Sequence, residues 1–342
     1  MSAASLRLLV NTKLNLAITV CCAAWLLLVF PGAFRWTIVD AVWSGTADDC
    51  RRAGGACWAY VAEKSEFFIF GFYPRPLVWR PTLASFILVL VIGATLVPRL
   101  WSKWIFVAWA IALPIVIWLF GGGFGLFAVS PDAWGGLPLT LLLCTGSLVA
   151  GFPLGILLAL GRRSQLTLLR FASTGFIELW RGVPMVAVLF TASVLVPLMV
   201  PEGVTPGKLL RAYLAFTAVA AAYFAEAVRA GLLAVPTGQY EAAKALGLRY
   251  WHINCLIVLP QALKVCLPVL INIAVVFLKD TSLVIVIGLY ELIGSVNAAA
   301  HDPNWIGFDV EGYLFAAAIY LSICLAMTRY ASWLERRIRV AR

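Results

Sequence analysis

Residues 238–260 read GQYEAAKALGLRYWHINCLIVLP, and the fold class turns on where that stretch sits in the chain. Pro236, Thr237 and Gly238 signal a helix start, with Thr237 the candidate N-cap. Glu241 follows early in the helix, where a negative charge suits the macrodipole. Ala242, Ala243 and Ala245 keep one surface small, so another backbone can come close. Gly247 breaks the helix and lets the chain turn. Leu256, Ile257, Val258 and Leu259 then form an apolar patch that Pro260 ends. Composition alone favours an interfacial amphipathic helix. The competing reading is a small-surfaced peg that seats in a groove on a partner.

The stretch lies between two apolar blocks, 209–230 and 265–289, each long enough to cross a bilayer. Six more blocks precede or follow, at 14–34, 81–97, 104–120, 137–160, 180–200 and 313–330. Hydrophobic residues make up 63% of the 342-residue chain and charged residues 12%. Soluble domains carry about 25% charged residues, so the composition predicts an all-α integral membrane protein of about eight transmembrane helices. The run after Arg7 and Lys13 ends in Phe30, Pro31, Gly32 and Phe34, a poor cleavage site, and reads as an uncleaved first span.

The net charge of +10 follows from basic loops rather than from a nucleic-acid face. Arg99 and Lys103, Arg162, Arg163 and Arg170, Lys244, Arg249 and Lys264, the N-terminal head and the Arg336-Arg337-Ile338-Arg339 tail all fall on one side if the blocks alternate. That side is predicted to be cytoplasmic, with both termini inside. The other side collects Asp40, Asp48, Asp49, Glu63, Glu66, Asp132, Glu202, Glu291, Asp302, Asp309 and Glu311. Two segments lie outside the blocks: Arg35–Arg80 on the outer side, with turn signals at Gly54-Gly55 and Pro74-Arg-Pro76, and the inner loop 231–264. Cys50 and Cys57, in CRRAGGAC, face an oxidising compartment, where a disulfide and two free thiols are both open. The remaining cysteines, Cys21, Cys22, Cys144, Cys255, Cys266 and Cys324, read as small hydrophobes. Trp36, Trp101, Trp104, Trp134, Trp180 and Trp333 read as interfacial anchors.

The inner loop decides between its two readings by spacing. Glu241, Ala242 and Ala243, then Gly247, Ile257, Leu259 and Pro260 give Glu-Ala-Ala, three residues, Gly, nine residues, Ile, one residue, Leu-Pro. This resembles the coupling loop of permease subunits of binding-protein-dependent ABC importers. AAYFAEAVRAGLLAVPTGQYEAA from Ala221, the run from Leu259 to Leu292, WGGLPLTLLL near Trp134 and FIELWRGVPMVAVLF near Phe176 are similar to the polar amino-acid branch of that family. Arg-Ala-Gly at 229–231 departs from the branch's usual Arg-Gly-Gly but keeps the second glycine. GACWAY and FGFYP resemble the longer permeases of general L-amino-acid uptake systems.

The resemblance implies a type I ABC importer permease core over residues 134–330, with the coupling loop 231–264 docking on an ATPase dimer. It implies an N-terminal part, 1–133, with spans 14–34, 81–97 and 104–120 and a periplasmic segment 35–80, and a basic tail, 331–342. The implied function is translocation of L-amino acids delivered by a periplasmic binding protein, in a bacterial inner membrane, beside a second and different permease chain. The alternative is a self-contained secondary transporter or channel for small polar solutes. No Gly-rich loop ends in Lys-Ser or Lys-Thr, so the chain is expected to bind no cofactor and to have no catalytic residues, ATP and magnesium belonging to the partner ATPase. His252 and His301 fall on opposite sides, which excludes a shared enzymatic or metal site.

Lys279 and Asp280 come roughly 22 Å into the seventh block at helical rise, where charges are costly unless paired or wet. With Thr281 and Ser282 at a possible helix break, they are candidates for a gate or pathway lining; a structural ion pair at Lys279 is the bland reading. Glu178 with Arg181, and Glu226 with Arg229, are predicted to pair three apart along their own helices.

Overall fold

The structure is a computed structural model that describes residues 11–201 and 205–340. Arg7, Glu202 and the Arg339 side chain, which belong to the charge pattern above, lie outside the described residues, as do the last two residues of the tail. The described chain is almost entirely helical: α1 (Lys13–Phe34), α2 (Ala47–Ala53), α3 (Trp58–Phe70), α4 (Trp79–Leu96), α5 (Lys103–Gly121), α6 (Gly136–Arg162), α7 (Thr167–Gly182), α8 (Met185–Met199), α9 (Lys208–Leu233), α10 (Thr237–Ala245), α11 (Leu259–Asp280), α12 (Leu292–Ala300) and α13 (Asp309–Val340). Among the described residues seven helical runs are long and apolar enough to cross a membrane, and eight if the bent pair α7–α8 is one span. By contacts the chain divides into two units, residues up to Ser65 with Ala300–Phe315, and Glu66–Ala299 with Ala316 onward.

In the first unit, α1 starts at Thr12, whose hydroxyl accepts from the Asn15 N–H at 3.1 Å, and runs on through wide turns at Arg35–Val39. None of its residues is buried, which suits an apolar helix solvated by lipid. The segment after it is polar and locally specified. Thr46 and Asp49 cap α2 reciprocally, and Cys50 is joined to Cys57 by a disulfide with Cα atoms 5.4 Å apart. The Cys57 N–H donates to Glu311 Oε1 at 2.8 Å, Lys64 pairs with Asp302 at 2.7 Å, and the Trp305 indole donates to Glu63 at 3.0 Å. Gly55 is required here, because a Cβ would lie 2.0 Å from the Asp40 carbonyl.

The second unit is built on α6 and α9. Gly151 and Gly155, four apart on α6, let the two backbones approach: added methyls would meet Ala220 Cβ at 2.8 Å and Phe224 Cβ at 2.6 Å. Small residues at such spacing are how helices associate in lipid, where burial against water drives nothing. Proline leaves its mark on α8. Pro197 has no N–H, which frees the Ser193 carbonyl one turn back, and Arg211 of α9 donates its guanidinium to that carbonyl and, at 3.5 Å, to Ala192 O. Arg80, at the head of α4 and 1% exposed, serves the end of α5 in the same way. It donates to Leu119 O at 2.7 Å, Phe127 O at 2.8 Å and Phe120 O at 3.4 Å. Glu291 is fully buried and has no ion-pair partner among the described residues; Tyr320, Thr140 and the Gly294 N–H donate to it at 2.8, 3.1 and 2.9 Å.

Several expectations are corrected. The block 180–200 is not one straight span. Pro184 forces Val183 to extended backbone, and α7 and α8 meet at a 103° bend. The inner loop is shorter than 231–264. Helix α9 runs to Leu233, and the helical run that contains α11 already begins at Tyr250. Pro260 does not end the patch, because a wide π turn at Ile253–Val258 precedes it and leaves room for the ring at the start of α11. Thr237 is the first helical residue rather than the cap; Pro236 holds the cap position with no side-chain bond. Trp134 is no surface anchor but is buried at 5% exposure, its ring tilted against that of Phe120.

Candidate functional site

Helix α10 is short because both ends are chemically fixed. Pro236 opens it, and Gly247 closes it at φ +72°, a conformation that costs other L-residues about 1–2 kcal/mol. The Leu248 N–H returns to Ala243 O at 3.2 Å and the Gly247 N–H to Lys244 O at 2.9 Å. This is the paired closure of a Schellman turn. The helix has two faces. Ala243, at 2% exposure, anchors it to the core, while Glu241, Ala242, Ala245 and Leu246 are exposed. Glu241 has no ion-pair partner among the described residues. Ile257 and Leu259 are half-buried behind it, and Pro260 is exposed.

The base of this element is tight. Gly231, near the end of α9, lies against α11, where a Cβ would stand 2.5 Å from Ala262 O and 3.3 Å from Cys266 Cβ. Its neighbour Ala230 is exposed. Gln261 of α11 reaches Gln239 of α10 at 3.4 Å. From the other side, Arg163 at the end of α6 donates to the Tyr240 hydroxyl at 2.8 Å, its guanidinium 5.2 Å from the ring centre.

Next to Arg163, Arg162 enters a cluster of five charges from α6, α7 and α9. It binds Glu178 Oε1 at 2.9 Å and forms a close ion pair with Glu226. Glu226 also meets Arg229 at 2.7 Å and Arg181 at 3.7 Å. The expected Glu226–Arg229 pair is therefore present. The Glu178–Arg181 pair is not: each finds its partner on another helix, because α6 delivers Arg162 between them. Arg181 extends to a cleft of about 510 Å³ beside the α7–α8 bend and lies 5.8 Å from the Tyr223 ring centre. Asp280, half-buried, lines the same cleft.

Lys279 and Asp280 form no ion pair among the described residues, so the structure does not supply the bland reading. The helix changes character beside them, α11 giving way to a 3-10 stretch at Thr281–Ile287. Thr281 and Ser282 return their hydroxyls to Leu278 O at 2.7 Å and Lys279 O at 2.8 Å, and Thr281 is buried. Cys50 and Cys57 belong to the first unit and to no part of this site. No group of three or more metal-ligating side chains comes together among the described residues.

The chain matches, over residues 151–340, the family described as "Binding-protein-dependent transport system inner membrane component". It is 43% identical to the inner membrane amino-acid ABC transporter permease protein YhdY of Escherichia coli (strain K12), with 96% of this chain and 90% of that protein covered. It is 34% identical to the glutamate/glutamine/aspartate/asparagine transport system permease protein BztC of Rhodobacter capsulatus, over 97% and 92%. Among solved structures it is similar to a chain of "an amino acid ABC transporter with histidines", at 30% identity and a TM-score of 0.53, covering 59% of this chain and 92% of that one.

Proposed function

The chain belongs to the family of binding-protein-dependent transport system inner membrane components, and from that premise we propose that it is the permease subunit of an ATP-driven importer of L-amino acids. Its family places it as a multi-pass inner-membrane transport component with a type I permease core. The cargo class is supported by the relatives that carry amino-acid names. The observation that carries the coupling role is α10, a short helix between Pro236 and Gly247 that holds Ala243 inward and leaves Glu241 and Ala242 exposed, Glu241 with no ion-pair partner among the described residues.

A soluble ATPase dimer, with ATP and magnesium, takes up that face. Closure of the dimer displaces α10, and the displacement reaches the membrane through Gly231 and Tyr240. An equilibrium shifts only if these contacts differ between the two states. The basic loops put α10 and both termini in the cytoplasm. The disulfide-clipped segment then faces the periplasm, where a binding protein delivers the amino acid. Lys279, Asp280, Thr281 and Ser282 form part of the gate or pathway lining, at a break in the helix beside the cleft. The length of the chain and its extra outer segment favour pairing with a second, different permease, all surrounded by membrane lipid.

Affinity purification from detergent tests the reading. The wild-type chain is expected to carry a soluble ATPase, and the Gly247→Asp and Glu241→Lys variants to insert normally yet lose ATP-linked uptake of L-amino acids. Normal uptake by both variants, or amino-acid flux that persists without ATP, would count decisively against it.

A further inference from the structure

No residue of the coupling helix lines the cleft, and a series of side-chain contacts, joined once through the backbone, runs from one to the other. Tyr240 of α10 is held by Arg163. Arg163 is the cap of α6 and Arg162 its last helical residue, so their Cα atoms are joined by one planar peptide unit and a displacement of the backbone at one is shared by the other. Arg162 holds Glu226 and Glu178. Glu226 is shared with Arg181, and Arg181 forms part of the cleft wall.

We infer that Arg162 and Arg163 are positioning residues that relay movement of the coupling helix to Arg181 at the cleft, with Glu226 as the exchange point. The inference rests on the importer reading above.

A purely structural ion pair is the simpler explanation for such a cluster, and its composition argues against it. Three guanidiniums surround two carboxylates. The Glu226 side chain is only 17% exposed, and stranding a charge at such depth is strongly destabilising. Because Glu226 has three cationic neighbours, it can loosen one and tighten another without ever being stranded. The distances show this asymmetry: Arg229 sits at 2.7 Å, whereas Arg181 stands at 3.7 Å, at the limit of pairing. Withdrawal of Arg162 by Arg163 leaves Glu226 free to draw Arg181 inward, away from the cleft. The α7–α8 bend that carries Arg181 next to Pro184 is where such a pull changes the shape of the cleft.

The test uses the whole complex, co-purified with its ATPase and binding protein and reconstituted in proteoliposomes. Uptake of a radiolabelled L-amino-acid mixture is measured per ATP hydrolysed. Arg163→Gln and Tyr240→Phe are each expected to lower that ratio, by roughly tenfold and a few-fold respectively, the scale of losing a charge-assisted hydrogen bond. Arg163→Lys, which keeps the charge beside the ring, is expected to restore most of it. The deciding measurement is Tyr240→Phe combined with Arg181→Lys. No bond or ring contact joins these two residues, and separated sites act additively, so a double variant no worse than the poorer single one supports the relay. Multiplied defects, or an unchanged ratio in both Arg163→Gln and Tyr240→Phe, overturn it. If Arg163→Gln does not assemble, Tyr240→Phe and its combination with Arg181→Lys decide. A wild-type complex with no ATP-dependent uptake would instead overturn the importer reading, and the relay with it.

Discussion

Gly231→Ala and Gly175→Ala make the same chemical change in two helices, and the structure predicts opposite results. In a helix interior alanine is favoured over glycine by about 1 kcal/mol. At Gly175, in α7, nothing lies within 4 Å of the added methyl, so that gain is kept. At Gly231 the methyl would stand 2.5 Å from the Ala262 carbonyl oxygen, where ordinary contact begins at 3.4 Å. The joint must open by roughly 0.9 Å, and the obstacle is backbone in the first turn of α11, not a rotatable side chain. Overpacking of this kind costs about 1–3 kcal/mol, which exceeds the helical gain. Thermal unfolding of the detergent-solubilised chain is therefore expected to place Gly175→Ala at or above wild type and Gly231→Ala below it, the two separated by about 1–3 kcal/mol. Because Gly231 seats the coupling helix, uptake per ATP should fall further in Gly231→Ala than its loss of folded protein explains. A Gly231→Ala chain as stable as Gly175→Ala would refute the close-contact argument.

Three other outcomes follow from the same structure. Arg80→Met removes the donor to the Phe127 carbonyl and leaves those of Leu119 and Phe120 only the Tyr73 hydroxyl, and is expected to cost about 1–3 kcal/mol, read as a lower unfolding temperature. Glu291→Gln keeps an acceptor oxygen for the Gly294 N–H and turns an amide N–H toward the Tyr320 and Thr140 hydroxyls, which can rotate to accept, and should be mild, whereas Glu291→Leu removes the acceptor of all three donors; it should cost about 3 kcal/mol in the same assay. In the outer segment, the hydrogen bond from Lys64 holds the Asp302 carboxyl below its ordinary value of 3.8, helped by the Asn304 N–H. The stability this gives is fully present above about pH 4 and is lost as pH falls through the lowered value. Amide-exchange protection of α3 near Lys64, corrected for intrinsic rates, should drop roughly two- to fivefold on acidification, and Asp302→Asn should remove that pH dependence.

How far the sequence alone reaches depends on how local the cause is. The start and stop of α10 were legible because Pro236 and Gly247 act within one turn of themselves. The α7–α8 bend is equally local, yet averaging hydropathy from Trp180 to Val200 hides Pro184 inside an apolar run. Pro260 misleads in the other direction: it reads as a terminator, and only the wide turn before it allows the helix to continue. The charge cluster was least accessible. Pairing rules for one helix join Glu178 to Arg181, but Arg162 lies 64 residues from Glu226, and nothing in either local sequence announces the meeting. Arg80 reads as the edge of a loop, because its acceptors are carbonyls at and beyond the end of another helix, and those have no sequence signature.

The guanidinium of Arg211 in the gap left by Pro197 has a mechanical consequence. A key on one helix seated in a notch on its neighbour fixes their register. Sliding by even one residue, 1.5 Å of rise, would pull the key from its notch and strand both the charge and the carbonyl. Helices α8 and α9 are thus bound to travel together at that end, and flexing at the bend near Pro184 would swing α8 about that end as a pivot.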